Sequence, residues 1–177
     1  MNQILKLGII LMIFAGTSGA LLALVNKGTL PYIEKQKQKA ELDSLSSVFP
    51  TASKFEKKEG SQAYYEAYTT EGTLAGFVLV LNAKGYAGNI AGLVGIDKAG
   101  IIQGVKFLDN KETPGLGANI VESWFTNQFK GKSATDLEIT KQKDDKKIIA
   151  LTGATISSKA VTDEIKSKAI EFLKNIK

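Results

Sequence analysis

Between Leu151 and Val161 the chain reads LTGATISSKAV, with hydroxyls at Thr152, Thr155, Ser157 and Ser158. An apolar run ends at Leu151 and a helical pattern begins a few residues later, so the hydroxyls stand where a strand turns into a helix. Two chemistries suit that place. In the first, the hydroxyls serve the backbone: Thr152 ends the strand, Gly153 permits an unusual backbone angle, and Ser157 or Ser158 caps the helix. In the second, the free amides and dipole of the helix start seat a phosphate, and a hydroxyl there binds it or is esterified to it. Lys159 would add positive charge, and Thr155 is the best-placed hydroxyl, because Gly153 and Ala154 leave room for a bulky group beside it.

Two further stretches are irregular in the same way. Glu112 to Ile120 reads ETPGLGANI, and Pro114, Gly115 and Gly117 would stiffen a loop whose backbone can approach a flat ligand. GLGANI looks like an incomplete dinucleotide fingerprint, but its third glycine is missing and no βαβ pattern surrounds it. Gly85 to Asp97 reads GYAGNIAGLVGID, where Tyr86 offers an aromatic wall. An ordinary turn accounts for either stretch taken singly.

Composition removes several alternatives. The chain has no cysteine and no histidine. Iron–sulfur clusters need thiolates, most zinc and haem sites need thiolate or imidazole, and a Ser/His/Asp triad needs histidine. Redox chemistry here therefore requires an organic cofactor, and no metal site and no catalytic residue is expected. The net charge is +5, carried by lysine without any arginine, and the lysines are scattered. That pattern argues against nucleic acid as a partner and suits a solvated basic face or the surface of anionic lipid.

The elements that must position these stretches can be read coarsely. Leu7 to Val25 carries no charge and is long enough to cross a lipid bilayer as a helix. Leu21–Val25 continues the apolar run past a weak cleavage motif at Ser18 and Ala20, which favours a retained anchor over a signal peptide. Thr29-Leu30-Pro31 reads as the start of a second, polar helix ending near Ser47. Strands are expected between Tyr64 and Asp109, with a turn at Glu71-Gly72 and a hairpin at Asp97-Lys98-Ala99-Gly100. A helix over Asn119–Phe129, a short strand over Lys147–Leu151 and a final amphipathic helix to about Ile176 complete the pattern. Strands followed by segregated helices predict an α+β domain with an antiparallel sheet. The expected organisation is an anchor over 1–28, a membrane-proximal helix over 29–48 and one domain over 49–177.

The order GYAGNIAGLVGID, NKETPGLGANI, FKGK, TGATISSKAV resembles the FMN-binding domain of membrane redox complexes. More narrowly, the whole chain resembles the G subunit of the Rnf-type ion-translocating ferredoxin:NAD oxidoreductase, a relative of the C subunit of the sodium-pumping NADH:quinone reductase. The resemblance implies an electron-transfer flavoprotein subunit of a redox-driven translocase. It implies covalent FMN, attached through its phosphate to the last threonine of the motif, Thr155, with Thr152, Gly153, Ala154, Ser157 and Ser158 around the attachment point. It implies that Glu112, Thr113, Pro114, Gly115, Leu116 and Gly117 border the flavin. The implied partners are the other membrane subunits of the complex, a flavin transferase that draws on FAD, and the lipid bilayer.

One position departs from the family pattern. Where an aspartate usually stands three residues before Thr152, this chain has Ile149, with Asp144 and Asp145 out of register. That change bears on recognition by the transferase. Orientation also pulls two ways. Lys27, Lys35, Lys37 and Lys39 after the apolar run outnumber Lys6 before it, which taken alone places the large domain in the cytoplasm. The resemblance implies the opposite, extracytoplasmic side of the inner membrane. Two rival readings are a membrane-anchored scaffold without flavin and a free-standing anchored flavoprotein with non-covalent FMN.

Overall fold

A computed structural model describes residues 2–59, 63–142 and 144–176. Two compact units divide the chain, Met1–Glu41 and Leu42–Lys177. The boundary falls inside the first helix, α1 (Asn2–Val48).

Within the first unit, α1 is long and apolar enough to cross a membrane. Leu11, Phe14 and Leu22 are exposed along it, as a lipid-facing helix requires. The hydroxyl of Thr17 donates back to the carbonyls of Ile13 and Phe14, so that polar group is satisfied within the helix. The expected helix start at Thr29 is not observed. The Thr29 hydroxyl donates to the carbonyls of Val25 and Asn26, an interior bonding pattern, and the helix continues through Pro31 without a break.

The second unit is an antiparallel five-stranded meander: β1 (Lys54–Lys58), β2 (Tyr64–Tyr68), β3 (Leu74–Lys84), β4 (Asn89–Asp97) and β5 (Ile102–Asn110), in that spatial order. Both expected turns form. Gly72 and Gly100 take the left-handed backbone angles that the β2–β3 and β4–β5 turns need. Asp97 closes the second turn by accepting the amides of Ala99 and Ile101 on one carboxylate oxygen.

Alternation along β3 and β4 sends side chains to two separate cores. On one face, Phe77, Leu79, Leu81, Ile90, Val94 and Ile96 pack with Val161, Ile165, Ala169 and Phe172 of α3 (Thr155–Ile176). Phe172 meets Tyr64 and Phe77 edge-on, at ring-centroid distances of 4.8 and 4.9 Å. On the other face, Val78, Leu93 and Ala67 pack with Leu45, Val48 and Phe49 at the end of α1. That close approach requires glycine: a Cβ on Gly95 would lie 2.4 Å from the carbonyl oxygen of Val48.

The expected helix over Asn119–Phe129 is broken in two. A 3-10 turn covers Gly117–Val121, Glu122 is extended (φ −68°, ψ 139°), and α2 spans only Ser123–Thr126. Ile120 and Phe125 are five residues apart, which one continuous helix would send to different sides. The extended residue resets the phase, so Ile120, Phe125 and Phe129 are all buried while Val121 and Trp124 are exposed. The strand before TGAT shrinks to β7 (Ile148–Ile149), paired in parallel with β6 (Ile139–Thr140).

Candidate functional site

The chain leaves β7 through buried Leu151 and turns at Gly153, which has φ +76°. The Ala154 amide donates to the Leu151 carbonyl, and α3 begins at Thr155. Ser157 and Ser158 therefore lie inside the first turn of the helix, and neither is its cap. Ser158 is fully buried; its hydroxyl accepts the amide of Leu151 at 3.0 Å and donates to the carbonyl of Ala154 at 2.9 Å. That bonding fixes the strand end to the helix start and removes Ser158 from the surface available to a ligand.

The ETPGLG loop comes to the same place from the end of β5. Glu112 is only 6% exposed, and its two oxygens accept from different elements. Oε2 accepts the Ser157 hydroxyl at 2.6 Å, and Oε1 accepts the Ala87 amide at 2.9 Å from the β3–β4 turn. Two glycines make room for this carboxylate. A Cβ on Gly85 would stand 2.3 Å from Oε1, and one on Gly117 would stand 2.4 Å from Oε2. Gly85 and Gly117, one from each motif, thus have one shared steric reason, which is the passage of Glu112 between their backbones.

These segments enclose a cleft of about 320 Å³, lined by Tyr86, Glu112, Thr113, Leu116, Gly117, Gly153, Ala154, Thr155, Ile156 and Ser157. Its volume lies at the lower end of the range for small-molecule pockets, roughly 300–1,000 Å³. Tyr86, Leu116 and Ile156 are exposed at its rim and give it apolar and aromatic walls. The four hydroxyls of the motif divide sharply. Ser157 is tied to Glu112 and Ser158 to the backbone, while Thr152 is exposed and lies outside the lining. Thr155 is half-buried at the first residue of α3, lines the cleft, and among the described residues its hydroxyl has no hydrogen-bond partner.

Of the residues singled out in the sequence, Pro114, Gly115, Thr152 and Ser158 do not line the cleft. Pro114 and Gly115 shape the loop, where Gly115 has φ +78° and its carbonyl accepts from Asn119. Lys159 points its charge elsewhere, into an exposed pair with Asp163 at 2.7 Å. Ile156 was the residue sequence reasoning missed; an apolar residue in the first turn carries no distinguishing signal, and only its 58% exposure beside the cleft marks it. Ile149 lies in β7, held by Gln128 on its backbone. No group of acidic residues able to hold a metal ion occurs among the described residues.

The dimensions and the donor set fit a flavin. The cleft joins apolar walls to a free hydroxyl at a helix start, which is what a flat ring carrying a phosphate tail would use.

Comparison with known proteins agrees. Residues 85–169 match the FMN-binding domain family, and residues 1–48 match the family described as the RnfG N-terminal region. The chain is 37% identical over 155 residues to the G subunit of the proton-translocating ferredoxin:NAD(+) oxidoreductase complex of Clostridium ljungdahlii, covering 87% of this chain and 83% of that one. It is 31% identical over 194 residues to the Na(+)-translocating counterpart of Acetobacterium woodii, covering 98% and 93%. Among solved structures it is similar to the C subunit of the Na(+)-translocating NADH-quinone reductase of Parabacteroides distasonis, with TM-score 0.54 and 26% identity, over 63% of this chain and 62% of that chain. The chain therefore belongs to the G-subunit family of ion-translocating ferredoxin:NAD(+) oxidoreductase complexes, with an FMN-binding domain over residues 85–169.

Proposed function

We propose that this chain carries electrons within a membrane-bound ferredoxin:NAD oxidoreductase that drives ion movement, through FMN held as a phosphoester on Thr155. The observation that carries this reading is the Thr155 hydroxyl, which lines the cleft without an internal partner among the described residues, while Ser157 and Ser158 beside it are committed. Bound FMN supplies the electron chemistry that a chain without cysteine or histidine lacks.

The chain's own residues bind and orient. Tyr86, Leu116 and Ile156 offer the apolar surface for the ring. Gly153 keeps the approach to Thr155 open, since its Cβ would stand 2.9 Å from Leu116. The start of α3 favours the negative charge of the phosphate. The apolar span of α1 carries no ionisable group, so this subunit moves electrons and leaves the ion path to its partners. Those partners are the other membrane subunits, the surrounding lipid, and during maturation a flavin transferase that uses FAD. Asp144 and Asp145 share a second cleft with Ile149, a surface open to that transferase although the usual aspartate is replaced.

The same reading puts the flavin domain on the extracytoplasmic face of the inner membrane. The chain has no native cysteine, so Thr70→Cys in the exposed β2–β3 turn gives a single reporter thiol. Labelling by an impermeant maleimide in intact cells supports this orientation; labelling only after lysis reverses it. Attachment is tested by peptide mass spectrometry of native protein and of Thr155→Val, where the variant should carry no flavin.

A further inference from the structure

Glu112 is an acidic side chain buried in the wall of the cleft, yet neither attachment to Thr155 nor stacking of the ring needs it. Its backbone amide is held by the side chain of Asn110 at 3.1 Å, and its carboxylate joins the β3–β4 turn to α3 through Ala87 and Ser157. Both oxygens act as acceptors, and the chain gives up side chains at Gly85 and Gly117 to let them through. No lysine is paired with it among the described residues; Lys159, the nearest candidate in sequence to Ser157, is bound to Asp163. A buried acceptor lacking a cationic partner is costly to maintain, so its retention under the cleft calls for a role.

We propose that Glu112 is a positioning residue of the flavin cleft whose carboxylate also sets the cleft's electrostatics, lowering the reduction potential of flavin held there. The inference rests on the reading of the cleft as the flavin site. Ser157 lies two residues beyond Thr155 in the first turn of α3, so the carboxylate it holds is close to the attachment point. Reduction of a flavin adds electrons from an external donor, here dithionite, and the ring takes up fewer protons than electrons when its anionic reduced form results. A negative group in a poorly solvated wall opposes that gain of charge. As a strut, the same carboxylate fixes the β3–β4 turn, the ETPGLG loop and α3 relative to one another.

The test uses full-length protein carrying its flavin, as wild type, Glu112→Gln and Ser157→Ala, titrated spectroelectrochemically. Glutamine keeps the shape and an acceptor for the Ala87 amide while removing the charge. The expected result is an upward shift in Glu112→Gln corresponding to at least a tenfold larger equilibrium constant for reduction, about 30 mV for a two-electron couple. Ser157→Ala, which retains the carboxylate, should move the midpoint by less than half as much. Equal midpoints in wild type and Glu112→Gln overturn the inference. The mass of the Thr155 peptide is measured in each sample, so a wild-type peptide without flavin, which would contradict the attachment reading, is distinguished from an unchanged potential.

Where Glu112→Gln is not loaded, binding of FMN and of riboflavin is compared by fluorescence quenching in Thr155→Val with and without Glu112→Gln. Removing the charge should raise the ratio of FMN to riboflavin affinity at least tenfold, since only FMN brings a phosphate towards it. An unchanged ratio overturns the proposal.

Discussion

The side-chain amide of Gln128 pairs with both backbone groups of Ile149, accepting its amide at 2.7 Å and donating to its carbonyl at 3.3 Å. Ile149 belongs to β7, whose other edge pairs with β6. Gln128 thus takes the place of a missing third strand and steadies the segment that leads into the Thr155 motif. Gln128→Ala should lose about 1–2 kcal/mol of stability, because a half-buried amide and carbonyl lose their partner together. Denaturant titration reads the loss, and hydrogen exchange at the Ile149 amide should accelerate with it.

The end of α1 is seated against the sheet by glycine. Gly95→Ala drives a methyl to within 2.4 Å of the Val48 carbonyl oxygen and 3.1 Å of the Phe49 ring. Backbone on one side and a buried ring on the other leave little room to relax. The substitution should cost about 1–3 kcal/mol, as overpacking of cores does. A Tm for Gly95→Ala equal to that of wild type would contradict this packing.

Much of this architecture was legible in the sequence. The apolar run Phe77–Leu81 marks β3, and the Asp97–Gly100 turn marks the β4–β5 hairpin. The glycines and hydroxyls of the two motifs mark the segments that build the cleft. What escaped did so for physical reasons. β1 reads KFEKK, a charged edge strand that shows little of the apolar signal of a buried one. The aromatic residues from Trp124 to Phe129 imitate a helical stripe, but burial of Ile120 with Phe125 demands the break at Glu122. In the sequence Ser157 reads as a cap, because capping is the common role of serine near a helix start; its partner in the structure is Glu112, 45 residues away. Long-range pairs of that kind leave no periodic trace.

Gly117 tests the steric argument for the ETPGLG loop. In Gly117→Ala the new methyl would meet Glu112 Oε2 at 2.4 Å, Glu112 Cβ at 3.0 Å and the Ser157 hydroxyl at 3.0 Å. The carboxylate must swing out and abandon the Ser157 hydroxyl. Flavin content per chain should fall well below that of wild type, and Tm should fall with it. Retention of both at wild-type levels would mean that the loop tolerates a side chain where Glu112 passes.

Surface charge makes a small, pH-dependent contribution. The Lys147 ammonium, hydrogen-bonded at 2.7 Å, holds the Glu138 carboxyl below its ordinary value of 4.5, and Glu138 raises Lys147 above 10.5. A carboxyl with a depressed folded value stabilises above its unfolded value and loses that contribution as pH falls through the folded one. The lysine contributes below its unfolded value and loses its effect as pH rises through the raised one. Lys147→Met should therefore lower Tm slightly near neutral pH, with the difference from wild type vanishing in acid below the depressed Glu138 value. Both side chains are exposed, so added salt should also shrink the difference.

The central claim concerns one oxygen atom, and the mass of the peptide that carries it tests the claim most directly. Proteolysis of the native protein should yield a peptide containing Thr155 heavier by FMN less one water, with fragmentation placing the addition on Thr155 and not on Thr152, Ser157 or Ser158. An unmodified Thr155 peptide from protein that is fully active in its complex would contradict the account.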